Sequence, residues 1–143
     1  MPTIYYAHPM SWFGTPDEAK DLDYIKQRFS EYTVVNPAEF KEGNGGMDLM
    51  DYCLSRVRAS DALIFRGFVS SGGLVGSGVA REILEAMVNG LPVWRLNSYL
   101  GRPNGRGKDP VVEQRSIERY GSRNLPLFLN RVETHDKISK GEL

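Results

Sequence analysis

Residues 60–96 read SDALIFRGFVSSGGLVGSGVAREILEAMVNGLPVWRL, and this stretch decides the fold. The apolar run at 62–66 has no polar alternation, which predicts a strand buried on both faces. From about Ser77 the apolar residues recur at helical spacing, and Gly90 followed by a proline predicts the end of that helix. Residues 92–96 predict a second buried strand. A strand, a helix and a strand in this order form the crossover unit of a parallel sheet.

The same alternation extends towards the amino terminus. Apolar runs at 3–7 and 33–36 predict two further strands, each followed by a helix. Thr15 fits the N-cap position of the first helix, because Glu18 follows three residues later and completes a capping box. The second helix is predicted over about 47–58. Right-handed crossovers between these strands predict an α/β fold, a flavodoxin-like three-layer sandwich with a parallel sheet of four or five strands.

The pattern weakens in the carboxyl-terminal third of the chain. Residues 101–110 form a basic segment rich in glycine and proline, which predicts a loop. Residues 111–120 fit either a strand or a helix, and both alternatives stay open. The apolar run at 125–129 is expected to dock on the sheet, whereas 134–143 is expected to be a frayed tail.

Composition limits the class of protein. A chain of 143 residues with 41% hydrophobic and 25% charged residues matches one globular domain, which we predict over 1–143, with its core at 3–96 and a C-terminal extension at 97–143. The 18 basic residues balance the 18 acidic ones, which argues against polymeric nucleic acid or a membrane as the main partner. No signal-peptide pattern or long apolar stretch is present, so we expect a cytoplasmic protein.

Cysteine and histidine are too scarce for the usual metal centres. Cys53 is the single cysteine, which excludes an intrachain disulfide and a cysteine-cluster metal site. His8 and His135 are the two histidines, which argues against a histidine-rich centre. We therefore expect no metal ion in this protein.

Candidate binding segments follow the carboxyl ends of three predicted strands, where open parallel sheets bind their ligands. The first segment, 6–14, contains Tyr6 and His8, which we expect to contact a ligand. The second segment is 36–46. The third, 67–78, is rich in glycine and serine and leads into the third predicted helix.

This third segment carries most of the predicted ligand contacts. Glycines let the backbone approach a ligand closely, and the N–H groups at the start of a helix favour an anion. The residues that we expect to contact the substrate here are Ser70, Ser71, Gly76, Ser77 and Gly78. A flexible connection with no ligand is the alternative interpretation.

Glu82 is the candidate for chemistry. It lies about one turn into the third predicted helix, beside the apolar stripe of Val79, Ile83 and Ala86, whereas Glu85 points further towards solvent. A carboxylate on the sheet-facing edge is costly unless it has a task, and the helix dipole favours its ionised form. Two interpretations stay open: a nucleophile, or a surface glutamate that stabilises the helix dipole.

Several motifs resemble, in order and spacing, those of the nucleoside 2-deoxyribosyltransferase family. An Asp opens a hydrophobic strand, Gly-x-x-x-Glu follows, an Ala stands four residues after the Glu, and Gly-x-Pro-Val begins eight residues after it. The matching residues are Asp61, Gly78, Glu82, Ala86, Gly90, Pro92 and Val93. The opening Tyr5-Tyr6-Ala7-His8-Pro9 resembles the family's Tyr-x-Ala-Gly-Pro. The resemblance covers about residues 3–96.

The resemblance implies a reaction. It implies cleavage of the N-glycosidic bond of a nucleoside or a nucleoside 5′-monophosphate, with Glu82 as the nucleophile that traps the sugar. It implies no metal or organic cofactor, and it implies a homodimer or a larger homo-oligomer. Members also carry an acidic residue on the helix before the third strand, for which Asp48 and Asp51 are candidates. We assign Asp51 to substrate binding.

Departures from the family pattern leave the type of reaction open. The transferases carry Asp and Thr where this chain has Gly76 and Val79, which favours the related nucleotide N-hydrolases, whose loop and first helix hold a 5′-phosphate. Hydrolysis and transfer of the sugar to a second base both remain possible. The alternative from another class is a non-catalytic nucleotide-binding or signalling module on the same fold.

Overall fold

The structure, a computed structural model, describes residues 1–40, 46–68, 73–102, 107 and 110–140. In chain order the strands are β1 (Thr3–Ala7), β2 (Thr33–Val35), β3 (Ala62–Phe65), β4 (Val75–Gly76), β5 (Val93–Gly101), β6 (Val112–Arg119) and β7 (Phe128–Leu129). The α-helices are α1 (Pro16–Arg28), α2 (Leu49–Arg58), α3 (Ser77–Val88) and α4 (Arg131–Ser139). Short 3₁₀ turns cover Met10–Trp12 and Pro37–Glu39.

The main sheet confirms the predicted fold class. Within the described part of the chain it has five strands, in the order β2-β1-β3-β5-β6. The first four are parallel, and β1 pairs with β3 from Ile4 opposite Ala62 to Ala7 opposite Phe65. Strand β6 is antiparallel to β5. The protein is therefore an α/β domain consistent with a flavodoxin-like three-layer fold, with four parallel strands and one antiparallel edge strand.

Helices cover both faces of this sheet, which is why its strands are apolar on both sides. On one face, Ile25 of α1 packs in a buried cluster with Ile4 and Ile64. On the other face, α2 and α3 contribute Val57 and Ile83 to the larger buried cluster. Neighbouring residues of a strand point to opposite faces, so the residues of β1 from Ile4 to Ala7 belong alternately to these two clusters.

Local signals placed several element ends correctly. Thr15 is the N-cap of α1, and its hydroxyl accepts a hydrogen bond from the Glu18 amide at 3.2 Å. Gly90 follows α3 with a φ of 70°, a left-handed conformation that glycine adopts without strain. Asp61 accepts a hydrogen bond from the Thr3 amide at 2.7 Å, so it caps the start of β1.

The carboxyl-terminal third differs from the sequence prediction. Strand β5 continues to Gly101 instead of ending at residue 96, because the antiparallel β6 pairs with its whole length. The open choice for 111–120 is thereby resolved as a strand. The run at 125–129 was expected to dock on the main sheet, and Leu125 does pack against the buried cluster on its α3 face, whereas β7 pairs with β4 in a separate two-stranded parallel sheet.

The predicted frayed tail at 134–143 is wrong for most of its length, because α4 extends to Ser139. Asn130 accepts a hydrogen bond from the Glu133 amide at 2.8 Å, which is a helix-capping contact that begins α4. Residues 141–143 lie outside the described part of the chain. Among the helices that the structure describes, none combines the length and the apolar character needed to cross a lipid bilayer.

Candidate functional site

The strand order creates a switch point at the carboxyl edge of the sheet. Strand β2 lies on one side of β1 and β3 lies on the other, so the chain leaves β1 and β3 in opposite directions. Ligands of open α/β sheets bind at such points. The chain leaves here along residues 8–15 and 66–68, which agrees with two of the three segments predicted from the sequence.

Glu82 lies on the face of the sheet covered by α3. The Tyr5 side chain extends from β1 on the same face and contacts it. The Tyr5 hydroxyl donates a buried hydrogen bond to the Glu82 carboxylate. Glu82 is only 6% exposed. The interpretation of this residue as a surface glutamate is therefore wrong. Tyr5 was not selected from the sequence as a site residue, although the Tyr-x-Ala pattern begins with it.

Burial is the largest cause of the pKa shifts of Glu82 and Tyr5. Burial raises the pKa of Glu82 from 4.5 to about 7, and the hydrogen bond from Tyr5 opposes this shift. The helix dipole was expected to keep the carboxylate ionised, but Glu82 is the sixth residue of α3, beyond the first turn in which that effect acts. Burial also raises the pKa of Tyr5, so its hydroxyl keeps its proton and stays a donor. Near neutral pH, Glu82 is partly ionised beside a fixed donor.

This raised pKa predicts that stability depends on pH. Between pH 4.5 and about 7 the unfolded chain releases the proton that folded Glu82 retains, so the free energy of unfolding falls as pH rises through this window. Relative to Glu82→Gln, which does not titrate, the wild type is expected to lose about 3 kcal/mol between pH 4 and pH 8. Urea unfolding of both proteins at several pH values measures the difference. A constant difference across that range would contradict the burial of an ionisable Glu82.

Tyr6 and His8 lie on the opposite face of β1. Both are buried, with 0% and 3% exposure. The Tyr6 hydroxyl donates to the carboxylate of Asp21 on α1. The His8 ring stacks on the Tyr6 ring at 3.9 Å between centroids, and its Nε2 lies 2.6 Å from a carboxylate oxygen of Glu18. Burial lowers the pKa of His8, and the hydrogen bond to Glu18 opposes this. Tyr6 and His8 were predicted to contact the substrate, and in the structure both bind side chains of α1.

Asp21 is the centre of an ionic network that was not predicted from the sequence. Its carboxylate is fully buried and lies 2.5 Å from Arg66 Nε and 2.7 Å from Arg115 Nε. Trp12 Nε1 donates to it at 3.0 Å, and the Trp12 ring covers the Arg66 guanidinium at 4.7 Å. Burial by itself raises the pKa of Asp21, but the hydrogen bonds and charge of Arg66 hold the net pKa below its usual value. The network ties α1 to β3 and β6.

One signal in the sequence points to Asp21. Asp21 precedes Ile25 by four residues and follows Glu18 by three, so all three share the sheet-facing side of α1. All three are buried. An acidic residue in the buried stripe of a helix requires a partner, because an unpaired buried charge is costly. That partner is distant in sequence.

The start of α3 was predicted to contact the substrate. Gly76 is its N-cap residue, Ser77 and Gly78 form its first turn, and no side-chain cap is found there among the described residues. A Cβ added to Gly78 would lie 3.2 Å from the Met50 methyl carbon, so glycine at this position lets α2 approach closely. Ser70 and Ser71 lie outside the described residues.

The two acidic candidates on α2 differ in what they do. Asp48 is the N-cap of α2, and its carboxylate accepts hydrogen bonds from the Met50 and Asp51 amides. Asp51 is exposed in the first turn of the helix, and its carboxylate has no partner among the described residues. Asp51 is therefore the one whose carboxylate is available to a ligand.

No protein-family model matches the chain, and no curated protein matches it either. The family resemblance, the glycosidase activity and the homo-oligomer therefore stay predictions. Within the described residues, no group of three or more histidine, cysteine, aspartate or glutamate side chains is placed to hold a metal ion.

Proposed function

We propose that this protein cleaves the N-glycosidic bond of a nucleoside or a nucleoside 5′-monophosphate, with Glu82 as the nucleophile. The observation that carries the proposal is the buried hydrogen bond from the Tyr5 hydroxyl to the Glu82 carboxylate. A buried carboxylate whose pKa is raised to about 7 is a common feature of active sites. The order and spacing of the family motifs around Glu82 support the same assignment.

The chemistry follows from the arrangement of this pair. Tyr5 holds one oxygen of the Glu82 carboxylate, which leaves the other oxygen to attack C1′ of the sugar. The C1′–N bond breaks, its electron pair leaves with the base, and the base takes up a proton. The resulting sugar ester is then cleaved by water, or by a second base that takes the sugar. Asp51, with its available carboxylate, is our candidate for contact with the leaving base.

The experiment is incubation of the purified chain with a panel of nucleosides and 5′-monophosphates, with and without an acceptor base. We expect free base to be released, as measured by chromatography. Because the nucleophile must be ionised, kcat/KM is expected to rise with pH through about 7 and then to level off. Release of base only with an acceptor present identifies a transferase. Release from no member of the panel would favour the nucleotide-binding module.

A further inference from the structure

A small cleft opens where β3 ends. Strand β3 stops at Phe65, opposite Arg95, whereas β5 continues to Gly101, and within the described residues no strand pairs with this extension on the β3 side. The space of about 150 Å³ is enclosed by residues 66–68, Gly73 and 95–98. A site that encloses a whole small molecule usually measures roughly 300–1,000 Å³. This cleft therefore has room for one chemical group of a ligand.

The two arginines that line the cleft differ in their partners. Arg66 donates to both oxygens of Asp21 and to the Ser98 hydroxyl, so its charge is balanced. Arg95 is half-buried, and among the described residues no carboxylate pairs with its guanidinium and no hydrogen bond engages it. Long cationic side chains are rarely withdrawn from solvent without a partner. Arg95 therefore leaves an unbalanced positive charge in the cleft.

The loop after β3 leaves room for the Arg95 guanidinium. Gly73 has a φ of 100°, and a Cβ added there would lie 1.7 Å from Arg95 Nη2. Any side chain at position 73 would displace the guanidinium. The Phe68 amide donates to the Leu74 carbonyl at 2.8 Å, which holds the backbone next to Gly73 in place. Arg95 is thus held against a backbone that only glycine permits.

Arg95 also lies on the same face of the sheet as the proposed nucleophile. Side chains at i and i+2 of a strand share a face, so Arg95 follows Val93, which is buried in the cluster that contains Tyr5 and Ile83. Glu82 belongs to this face through its hydrogen bond with Tyr5. A ligand group in the cleft and a reacting group at Glu82 are approached from the same side of the sheet.

We propose that this cleft is a phosphate-binding site in which Arg95 pairs with the oxygens of a phosphate monoester. A guanidinium presents two parallel donors that match phosphate oxygens, and the cleft has the size for such a group. The phosphate comes either from a 5′-monophosphate substrate or from free inorganic phosphate. The first source rests on the proposed function, whereas phosphate binding by itself does not.

Isothermal titration calorimetry at constant ionic strength tests the site. The titrants are inorganic phosphate, a nucleoside 5′-monophosphate and the matching nucleoside. Arg95→Gln is expected to weaken binding of both phosphate-bearing ligands by about 10- to 100-fold, as loss of a charge-assisted hydrogen bond predicts. The control is Arg81→Gln, which removes the same charge from an exposed position on α3 and is expected to bind like the wild type.

A second measurement does not depend on the folding of a variant. Modification of the wild type by an arginine-specific dicarbonyl reagent, followed by mass spectrometry, is expected to slow at Arg95 when phosphate is added, and not at Arg81. Equal phosphate affinity of the wild type and Arg95→Gln, or equal modification of Arg95 with and without phosphate, would overturn the proposal. Phosphate binding at Arg95 in a protein that cleaves no nucleotide would support the site and contradict the proposed function. Cleavage of nucleotides without phosphate binding at Arg95 would support the proposed function and contradict the site.

Discussion

Glu82→Gln is expected to lower the turnover of N-glycosidic cleavage on the order of 10³-fold or more, because an amide does not form the sugar ester. The Tyr5 hydroxyl can still donate to the amide oxygen, so the side chain is expected to keep its place and the fold to persist. Substrate affinity is expected to change much less than kcat. Single-turnover kinetics and a separate measurement of Kd distinguish these two effects.

Glu85→Gln is the matched control on the same helix. Glu85 is three residues away, and its carboxylate pairs with Arg58 at 2.9 Å on the outer side of α3. Loss of such a surface ion pair costs about 0.2–1 kcal/mol, so this variant is expected to keep the wild-type rate. An active Glu82→Gln beside an inactive Glu85→Gln would place the nucleophile three residues further along. Full activity of both variants would mean that neither glutamate is the nucleophile.

Asp21→Ala is expected to lower the free energy of unfolding by about 3–5 kcal/mol, the largest effect on stability that we expect from a single substitution. It removes the shared carboxylate, which leaves the buried Arg66 guanidinium with no carboxylate among the described residues and Arg115 with Glu113 alone. Domains of this kind are stable by only about 5–15 kcal/mol, so much of the margin is lost. Urea unfolding followed by circular dichroism measures the change.

Asp23→Ala is the control for this prediction. Asp23 is two residues further along α1 and exposed, so its loss is expected to change stability by less than about 0.5 kcal/mol. A loss below about 1 kcal/mol for Asp21→Ala would mean that water reaches the network and that Arg66 and Arg115 do not depend on this carboxylate. Comparable losses for both variants would point to the helix as a whole and not to the network.

Short-range signals explain why the fold was predictable. The Thr15 cap, the Gly90 stop and the apolar strands each depend on residues within about one helical turn or one strand of each other. The same reasoning placed Glu82 beside the buried stripe of α3. Helix α4 was not predicted, although Asn130 is a local capping signal for it. Residues 111–120 could not be assigned from local signals because this strand is stabilised by pairing with β5.

The candidate site was predictable only in part, because strand alternation alone does not decide which side chain meets which helix. Tyr5 and Tyr6 are adjacent and equally buried, and the sequence analysis selected Tyr6 as the substrate contact. In the structure, Tyr5 bonds to Glu82 on α3, whereas Tyr6 bonds to Asp21 on α1. The choice depends on which helix covers which face of the sheet, and that is a property of the assembled layers.

The sequence by itself determined four parallel strands, the three helices between them and their order, because periodicity, caps and breakers act over a few residues. Only the tertiary structure decided which side chains meet at the candidate site and in the ionic network. The Tyr5–Glu82 hydrogen bond joins residues 77 positions apart, and the Asp21–Arg115 contact joins residues 94 positions apart. Such contacts form where a buried charge or donor meets its partner as the layers close, and no local pattern in the chain records them.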